Sequence, residues 1–273
     1  MKKYKIAISG TGNIFFKHLQ SIKSNKNFSI CGITDKKRKK KFRKFTFFKN
    51  LKDAFKKDRK LDIVNLLTPS GNHFKETIFS LKNRKNVIVE KPLALRLDHV
   101  NQILKLEKKF KKKVFVVFQH RLNPAFLELK KCLEKKKLGK IFLVSSKLHW
   151  CRNDHYYKGN WRGTWKYDGG VVTNQGIHTI DIINLLFGNF ESIFARSNKI
   201  SKFIETEDVC SVSGRLKKGI ICNMEFTTAT RPNNLENSIT VLGTKGFFKI
   251  GGKNFNETTN SFNKGTKKIN INN

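Results

Sequence analysis

The chain has 273 residues, enough for one or two ordinary domains and too few for three. Its 57 Lys and Arg against 20 Asp and Glu give a formal net charge of +37, while 38% hydrophobic residues, with 24 Phe, supply a sizeable core and exclude wholesale disorder. Such a charge is typical of nucleic-acid or anionic-surface binders, but the lysines recur along nearly the whole chain, and together with abundant Asn, Ile and Phe this reads as A/T-rich codon drift, with no specific nucleic-acid partner. The densest run, Lys36 to Lys41, fits a solvated helix face or a phosphate-attracting stripe. The 5 cysteines are scattered and form no C-x-x-C pair, which points away from a disulfide framework or a metal site and toward a reducing, cytoplasmic setting. No apolar stretch reaches the roughly eighteen residues of a membrane span, so no membrane partner is expected.

Short β-branched runs alternate with helical patterns through the first half: Tyr4 to Ser9, Phe28 to Thr34, Asp62 to Leu67, Asn86 to Glu90 and Val114 to Gln119 as strands, with segments such as Leu97 to Lys112 as helices. That rhythm predicts βαβ units and a doubly wound parallel sheet of the Rossmann type, over residues 1–120. From about Lys140 the runs lengthen and alternate, in Ile141 to Trp150, Asp208 to Leu216 and Ile220 to Thr227, which predicts an α+β domain with a mostly antiparallel sheet over residues 121–253. One helix stands out there, Gln175 to Phe187, after a Gly169-Gly170 turn. Residues 254–273 are mostly Asn, Lys, Thr, Ser and Gly, and predict a frayed polar tail.

The first strand runs into Gly10-Thr11-Gly12-Asn13-Ile14-Phe15. Glycines at a strand-to-helix turn bring backbone N–H groups onto a pyrophosphate at a helix N-terminus, although a lone G-x-G is as often an ordinary turn. Phe15 stands where a third small residue normally lets the helix pack closely, so the helix must stand off or the ring must turn outward. Asp35 ends the second strand, where a carboxylate accepts hydrogen bonds from a ribose diol; this favours NAD, while Lys36, Lys37 and Arg38 leave NADP open. Thr68-Pro69-Ser70-Gly71-Asn72-His73 reads as a capped turn or as part of the cofactor cleft, and Gln119 ends the last strand at the same edge of the sheet. Glu90-Lys91-Pro92 closes its strand at the ligand-bearing edge, where Lys91 is a candidate proton acceptor or a plain surface lysine beside a turn.

In the second domain Asn174, His178 and Asp181 are spaced by four and three, which places them on one helix face, either as an acid/base group or around a buried histidine. Upstream, Trp150-Cys151-Arg152, Tyr156-Tyr157 and Trp161-Arg162-Gly163-Thr164-Trp165 offer aromatic walls and guanidinium groups for a sugar with an anionic substituent, or ordinary core aromatics.

Gly10-x-Gly12 with His18 beyond it, Thr68-Pro69 with His73, Glu90-Lys91-Pro92 and the Gly169 to Asp181 run, in this order, resemble the Gfo/Idh/MocA oxidoreductase family over residues 4–253. Within it, Trp150 to Trp165 and Asn174-Gln175 before His178 are similar to the dehydrogenases that oxidise C3 of UDP-linked N-acetylglucosaminuronic acid in surface-polysaccharide sugar synthesis. The resemblance implies a sugar dehydrogenase that is a homo-oligomer through its C-terminal sheet and takes a nucleotide-sugar substrate. It implies Lys91 and His178 as catalytic residues, and Gly10, Gly12, Asn13, Ile14, Asp35, Thr68, Pro69, His73, Glu90 and Gln119 around the cofactor. Arg152, Tyr157, Trp161, Arg162, Trp165, Asn174, Gln175 and Asp181 are implied around the substrate. Many relatives carry Asp where this chain has Asn174, and an amide is no base, so proton handling falls to Lys91 and His178. A dehydrogenase of a free polyol or sugar, an inactive relative and a basic nucleic-acid binder are the alternatives.

Overall fold

The structure, a computed structural model, describes residues 3–159, 161–263 and 265–270. The chain divides after Val117 into two compact units.

In the first unit β1 (Tyr4–Ser9), α1 (Phe15–Ser24), β2 (Phe28–Thr34), β3 (Phe47–Phe48), α2 (Leu51–Lys57), β4 (Ile63–Leu66), α3 (Ser70–Lys82), β5 (Asn86–Glu90), α4 (Leu97–Phe110) and β6 (Val114–Val117) follow one another. The six strands form one parallel sheet in the order β3-β2-β1-β4-β5-β6. Alternation along β1 explains its burial on both faces. Ile6 and Ile8 face one core with Phe15, Leu19 and Ile22 of α1, while Ala7 faces the other with Val64, Leu66, Val87 and Val89. The order reverses between β1 and β4, so the carboxyl ends of these strands flank the switch point where open α/β sheets bind ligands.

Of the two arrangements expected for Phe15, a helix that stands off or a ring turned outward, the structure excludes the second. Phe15 is 0% exposed and lies edge-on to Phe42 at 4.7 Å and to Phe45 at 6.1 Å. The basic stretch after β2 thus carries two aromatic residues that, with Phe15, form a core pocket, a pairing invisible from the spacing of the glycine motif.

The second unit contains α5 (Pro124–Glu134), β7 (Ile141–His149), α6 (Asp154–Tyr157), α7 (Ile177–Phe187), β8 (Phe190–Asn198), β9 (Val209–Leu216), β10 (Ile220–Thr227), β11 (Glu236–Gly243), β12 (Gly246–Gly251), β13 (Glu257–Asn260) and β14 (Thr266–Lys268). Among the described residues its eight strands run in the order β14-β13-β12-β11-β7-β10-β9-β8; β7 and β10 pair in parallel and the other neighbours antiparallel. One face buries Val144, Leu148, Val212, Met224, Phe226, Ile239 and Val241 against Phe126 and Leu129 of α5 and Ile182, Ile183 and Phe187 of α7. At one edge β8 leaves Ile193 and Phe194 about 59% and 62% exposed.

The expected frayed tail is corrected as well: β13 and β14 extend the sheet, and Phe255, Thr258 and Asn260 are buried. Composition argues against burial of apolar area, but an edge strand is held by its ladder bonds, which Thr and Asn make as well as any residue. Among the described residues no helix is long and apolar enough to cross a membrane.

Candidate active site

In the first unit the cofactor half is built from backbone. Gly10 has φ +97°, and a Cβ there would stand 2.7 Å from the carbonyl oxygen of Leu67, so only glycine lets β1 end against the β4 loop. Gly12 faces open space. Asn13 and Ile14 form the turn into α1, whose start carries no side-chain cap and no acidic residue, leaving a helix N-terminus suited to a phosphate. Asp35 lies beside this loop: its Oδ2 accepts from the Thr11 amide at 3.0 Å and from the Thr11 hydroxyl, and its Oδ1 accepts from the Lys36 amide at 2.7 Å. Burial works to raise its pKa, but the bonds from Thr11 and Lys36 and the charge of Lys39, 3.7 Å away, outweigh it and hold the carboxyl below its ordinary value.

Two further loops are tied to each other. His73 is 1% exposed, with Nδ1 2.7 Å from the Pro92 carbonyl and Nε2 2.8 Å from the Thr68 carbonyl. His73, expected around the cofactor, thus has both ring nitrogens engaged by the fold. Its ring is consumed by two backbone oxygens, and it acts as a strut joining the Thr68-Pro69 loop to the Glu90-Lys91-Pro92 loop. Burial pulls its pKa down, against the two carbonyls, which favour the doubly protonated ring. Glu76, one turn along α3 and absent from the sequence-based set, receives the Thr68 hydroxyl at 2.6 Å and Ser9 Oγ at 3.4 Å. Its i, i+3 spacing from His73 was a usable signal. His18 spans the other side, with Nε2 2.8 Å from Glu90 Oε1 and Nδ1 3.0 Å from Asn65 Nδ2. Since the Asn65 amide donates, Nδ1 accepts and Nε2–H donates to Glu90. Glu90 is thereby held in a chain that runs from β4 through α1 to β5, and Lys91 follows it, half-buried.

In the second unit the candidate residues are positioned by side chains. Gly169 has φ +75°, and a Cβ on Gly170 would fall 1.8 Å from the Glu207 carboxyl, which accepts from the Val172 amide at 3.3 Å. The chain then runs as a π-turn, Val172–Gly176, into α7. The wide turn alters the expected single helix face. His178 and Asp181 share a face of α7, whereas Asn174 lies in the π-turn with its amide donating to Asp168. Asp168 is 4% exposed and also accepts from the Gly163 amide at 2.7 Å. Asp181, expected at the substrate, is instead held by Arg121, whose Nε donates to it at 2.7 Å.

Tyr157, expected around the substrate, is buried, its hydroxyl bonds Thr228 at 2.8 Å, and burial pushes its pKa up to about 12. Its neighbour Tyr156 is half-buried. The Tyr156 ring has the Arg152 guanidinium at 5.4 Å and that of Arg162 at 4.7 Å, while Trp150 lies 4.7 Å from Arg152 and Trp161 4.9 Å from Arg162. Gln175 Nε2 reaches the Tyr156 hydroxyl at 3.4 Å. Trp165 is 61% exposed, its amide donating to Glu205 at 3.0 Å, and Gln119 is exposed at the start of the Gln119–Leu122 turn. A cleft of about 830 Å³ in this unit is lined by Trp150, Asn153, Asn234, Glu236, Lys249 and Glu257, so that it adjoins the Arg152 cluster, and includes neither Asn174 nor His178.

The open space at Gly12, the uncapped start of α1 and the acceptor carboxylate at the end of β2 fit NAD. Residues 4–118 match the oxidoreductase family with an NAD-binding Rossmann fold, and residues 126–249 match the GFO/IDH/MocA C-terminal domain. Two solved WlbA dehydrogenases, each in complex with NADH and UDP-GlcNAcA, are similar to the chain. The one from Bordetella pertussis is 31% identical, with 92% of this chain and 79% of that one covered at TM-score 0.88. The one from Chromobacterium violaceum is 34% identical, with 95% and 77% covered, also at TM-score 0.88. Glucose-6-phosphate 3-dehydrogenase of Bacillus subtilis is 26% identical over 90% of this chain and 73% of its own length. With both units matched and the NAD-binding geometry in place, the chain belongs to the Gfo/Idh/MocA family of NAD-dependent oxidoreductases.

Proposed function

We propose that the chain oxidises a sugar hydroxyl, C3 of UDP-N-acetylglucosaminuronic acid, in surface-polysaccharide sugar synthesis. The observation that carries this reading is the Arg152–Tyr156–Arg162 stack, flanked by Trp150 and Trp161. Two guanidinium groups suit an anionic sugar nucleotide, aromatic faces suit its rings, and the two WlbA dehydrogenases were solved with that ligand.

Bound NAD supplies the two-electron acceptor for the hydride that leaves C3 as the alcohol becomes a ketone. The hydroxyl proton passes to Lys91, His178 or both. Asn174, an amide held by Asp168, positions the substrate and takes no proton. Gly10, Gly12, Asn13 and Ile14 cradle the pyrophosphate and Asp35 the ribose, while His18 and Glu90 hold the loop that carries Lys91. The exposed apolar side chains of the second sheet, such as Ile193 and Phe194, support assembly with further copies of this chain, and five free thiols support a reducing, cytoplasmic setting.

Lys91→Met and His178→Asn test this reading. Each is expected to lower kcat with UDP-N-acetylglucosaminuronate by on the order of 10² to 10⁴ while leaving NAD affinity unchanged. Near-normal kcat in either variant removes that residue from proton transfer. The similarity to glucose-6-phosphate 3-dehydrogenase supports a second reading, a sugar without a nucleotide; turnover of glucose 6-phosphate and none of the UDP-sugar selects it.

A further inference from the structure

The basic run after β2 does not behave as one stripe. The short helical turn Lys40–Phe42 seats Phe42 in the core beside Phe15 and anchors the run there. Lys41 lies over the Phe16 and Phe42 rings, 5.1 Å from each. Arg38 donates to the Arg43 carbonyl at 3.2 Å and lies 5.9 Å from the centre of the Phe47 ring. Lys39 turns back over the glycine loop instead. Its ammonium donates to the Thr11 carbonyl at 3.1 Å and stands 3.7 Å from Asp35 Oδ2.

A carboxylate at the end of β2 selects NAD in two ways, by accepting the hydroxyls of the adenosine ribose and by repelling a 2′-phosphate. Asp35 is weakened in both. A carboxylate has about four acceptor sites. Among the described residues the Thr11 amide, the Thr11 hydroxyl and the Lys36 amide already donate to it. A ribose diol therefore competes with Thr11 for what is left. The negative charge, in turn, is opposed by the Lys39 ammonium beside it.

The geometry points to Lys39 as a specificity-determining residue for the cofactor: its ammonium offsets the repulsion from Asp35 and receives a 2′-phosphate, so that the chain binds NADP nearly as well as NAD. Spacing along the run puts Lys36, Lys37 and Arg38 forward for that role, but the Arg38 guanidinium is spent on a carbonyl and an aromatic ring. Lys39 is one helical turn further from Asp35 in sequence and returns to it only because Phe42 holds the run against α1. Its side chain is 48% exposed, so salt screens the attraction. Cofactor choice does not depend on which sugar is oxidised, and it is measurable without any substrate.

The experiment is titration calorimetry of the full chain with NAD and with NADP at low and at high salt. In the wild type at low salt, NADP should bind within about tenfold of NAD. Lys39→Met should weaken NADP by on the order of tenfold and change NAD by less than about threefold. Lys39→Arg, which keeps the charge, should hold NADP within about threefold of the wild type. High salt should shrink the difference between wild type and Lys39→Met for NADP, because that difference is a charge effect. A residue that merely held the Thr11 loop in place would, on removal, weaken both cofactors together. A wild type that binds NADP more than about tenfold more weakly than NAD overturns the inference. So does a Lys39→Met variant that loses both cofactors alike or neither, and so does a Lys39→Arg variant that behaves as Lys39→Met does.

Discussion

The two units hold their candidate residues in place by different means. In the first unit the cofactor half is set by main chain: Gly10 closes on the Leu67 carbonyl, and His73 bridges two loops through their carbonyls. In the second unit the candidate residues are set by side chains brought from distant segments. Asp168 fixes Asn174, Arg121 fixes Asp181, and two guanidinium groups flank Tyr156. Backbone built around glycine and proline tolerates little but announces itself locally, whereas side-chain networks tolerate substitution and are silent until the chain is folded.

The strongest challenge to this contrast is Phe15→Ala, which leaves every backbone feature of the glycine loop in place and removes a fully buried ring. It is expected to destabilise the protein by about 3–5 kcal/mol, read from denaturant unfolding. A loss below about 1 kcal/mol would mean that the Phe42 and Phe45 rings close the gap by themselves. His73→Ala comes next. It removes the strut between the two loops and should cost about 2–4 kcal/mol, from two lost backbone bonds and the space the ring leaves. NAD affinity should fall with it; full NAD affinity in the folded variant would show that the loops hold their places unaided.

Asp35→Ala acts on binding more than on folding. It should weaken NAD about 10- to 100-fold by calorimetry, and NADP less, because the ribose acceptor is lost and the repulsion of a 2′-phosphate goes with it. Equal loss for both cofactors would assign Asp35 to holding Thr11 alone. The smallest effect is that of Glu76→Gln. Burial raises the Glu76 pKa above its ordinary 4.5, against the bonds from Thr68 and Ser9. A carboxyl whose folded pKa is raised contributes stability that is complete below its unfolded value and is lost as pH rises through the folded one. The wild type should therefore lose some stability from about pH 4.5 upward that the Gln variant keeps, and parallel Tm–pH curves for the two would place Glu76 outside this balance.

By itself the sequence determined what depends on near neighbours along the chain. The short, continuous β-branched runs marked β1, β2, β4, β5 and β6, because a strand buried on both faces needs them, and Gly10, Gly12 and Asp35 marked the strand ends, because only certain residues suit those turns. It left β3, β8 and β11 to β14 unmarked; of these β3, β8 and β14 are edge strands that owe their form to a ladder partner supplied by another part of the chain, whereas β11 to β13 lie inside the sheet. The same limit governed the site. Whether Tyr156 or Tyr157 faces outward, and whether Asp181 serves a substrate or Arg121, depends on which groups the tertiary fold brings within reach. Phe15 shows the limit most plainly: its size counted against the motif until Phe42 and Phe45, far along the chain, made a place for it. Local sequence sets backbone preference, and only the folded chain decides which side chains find partners.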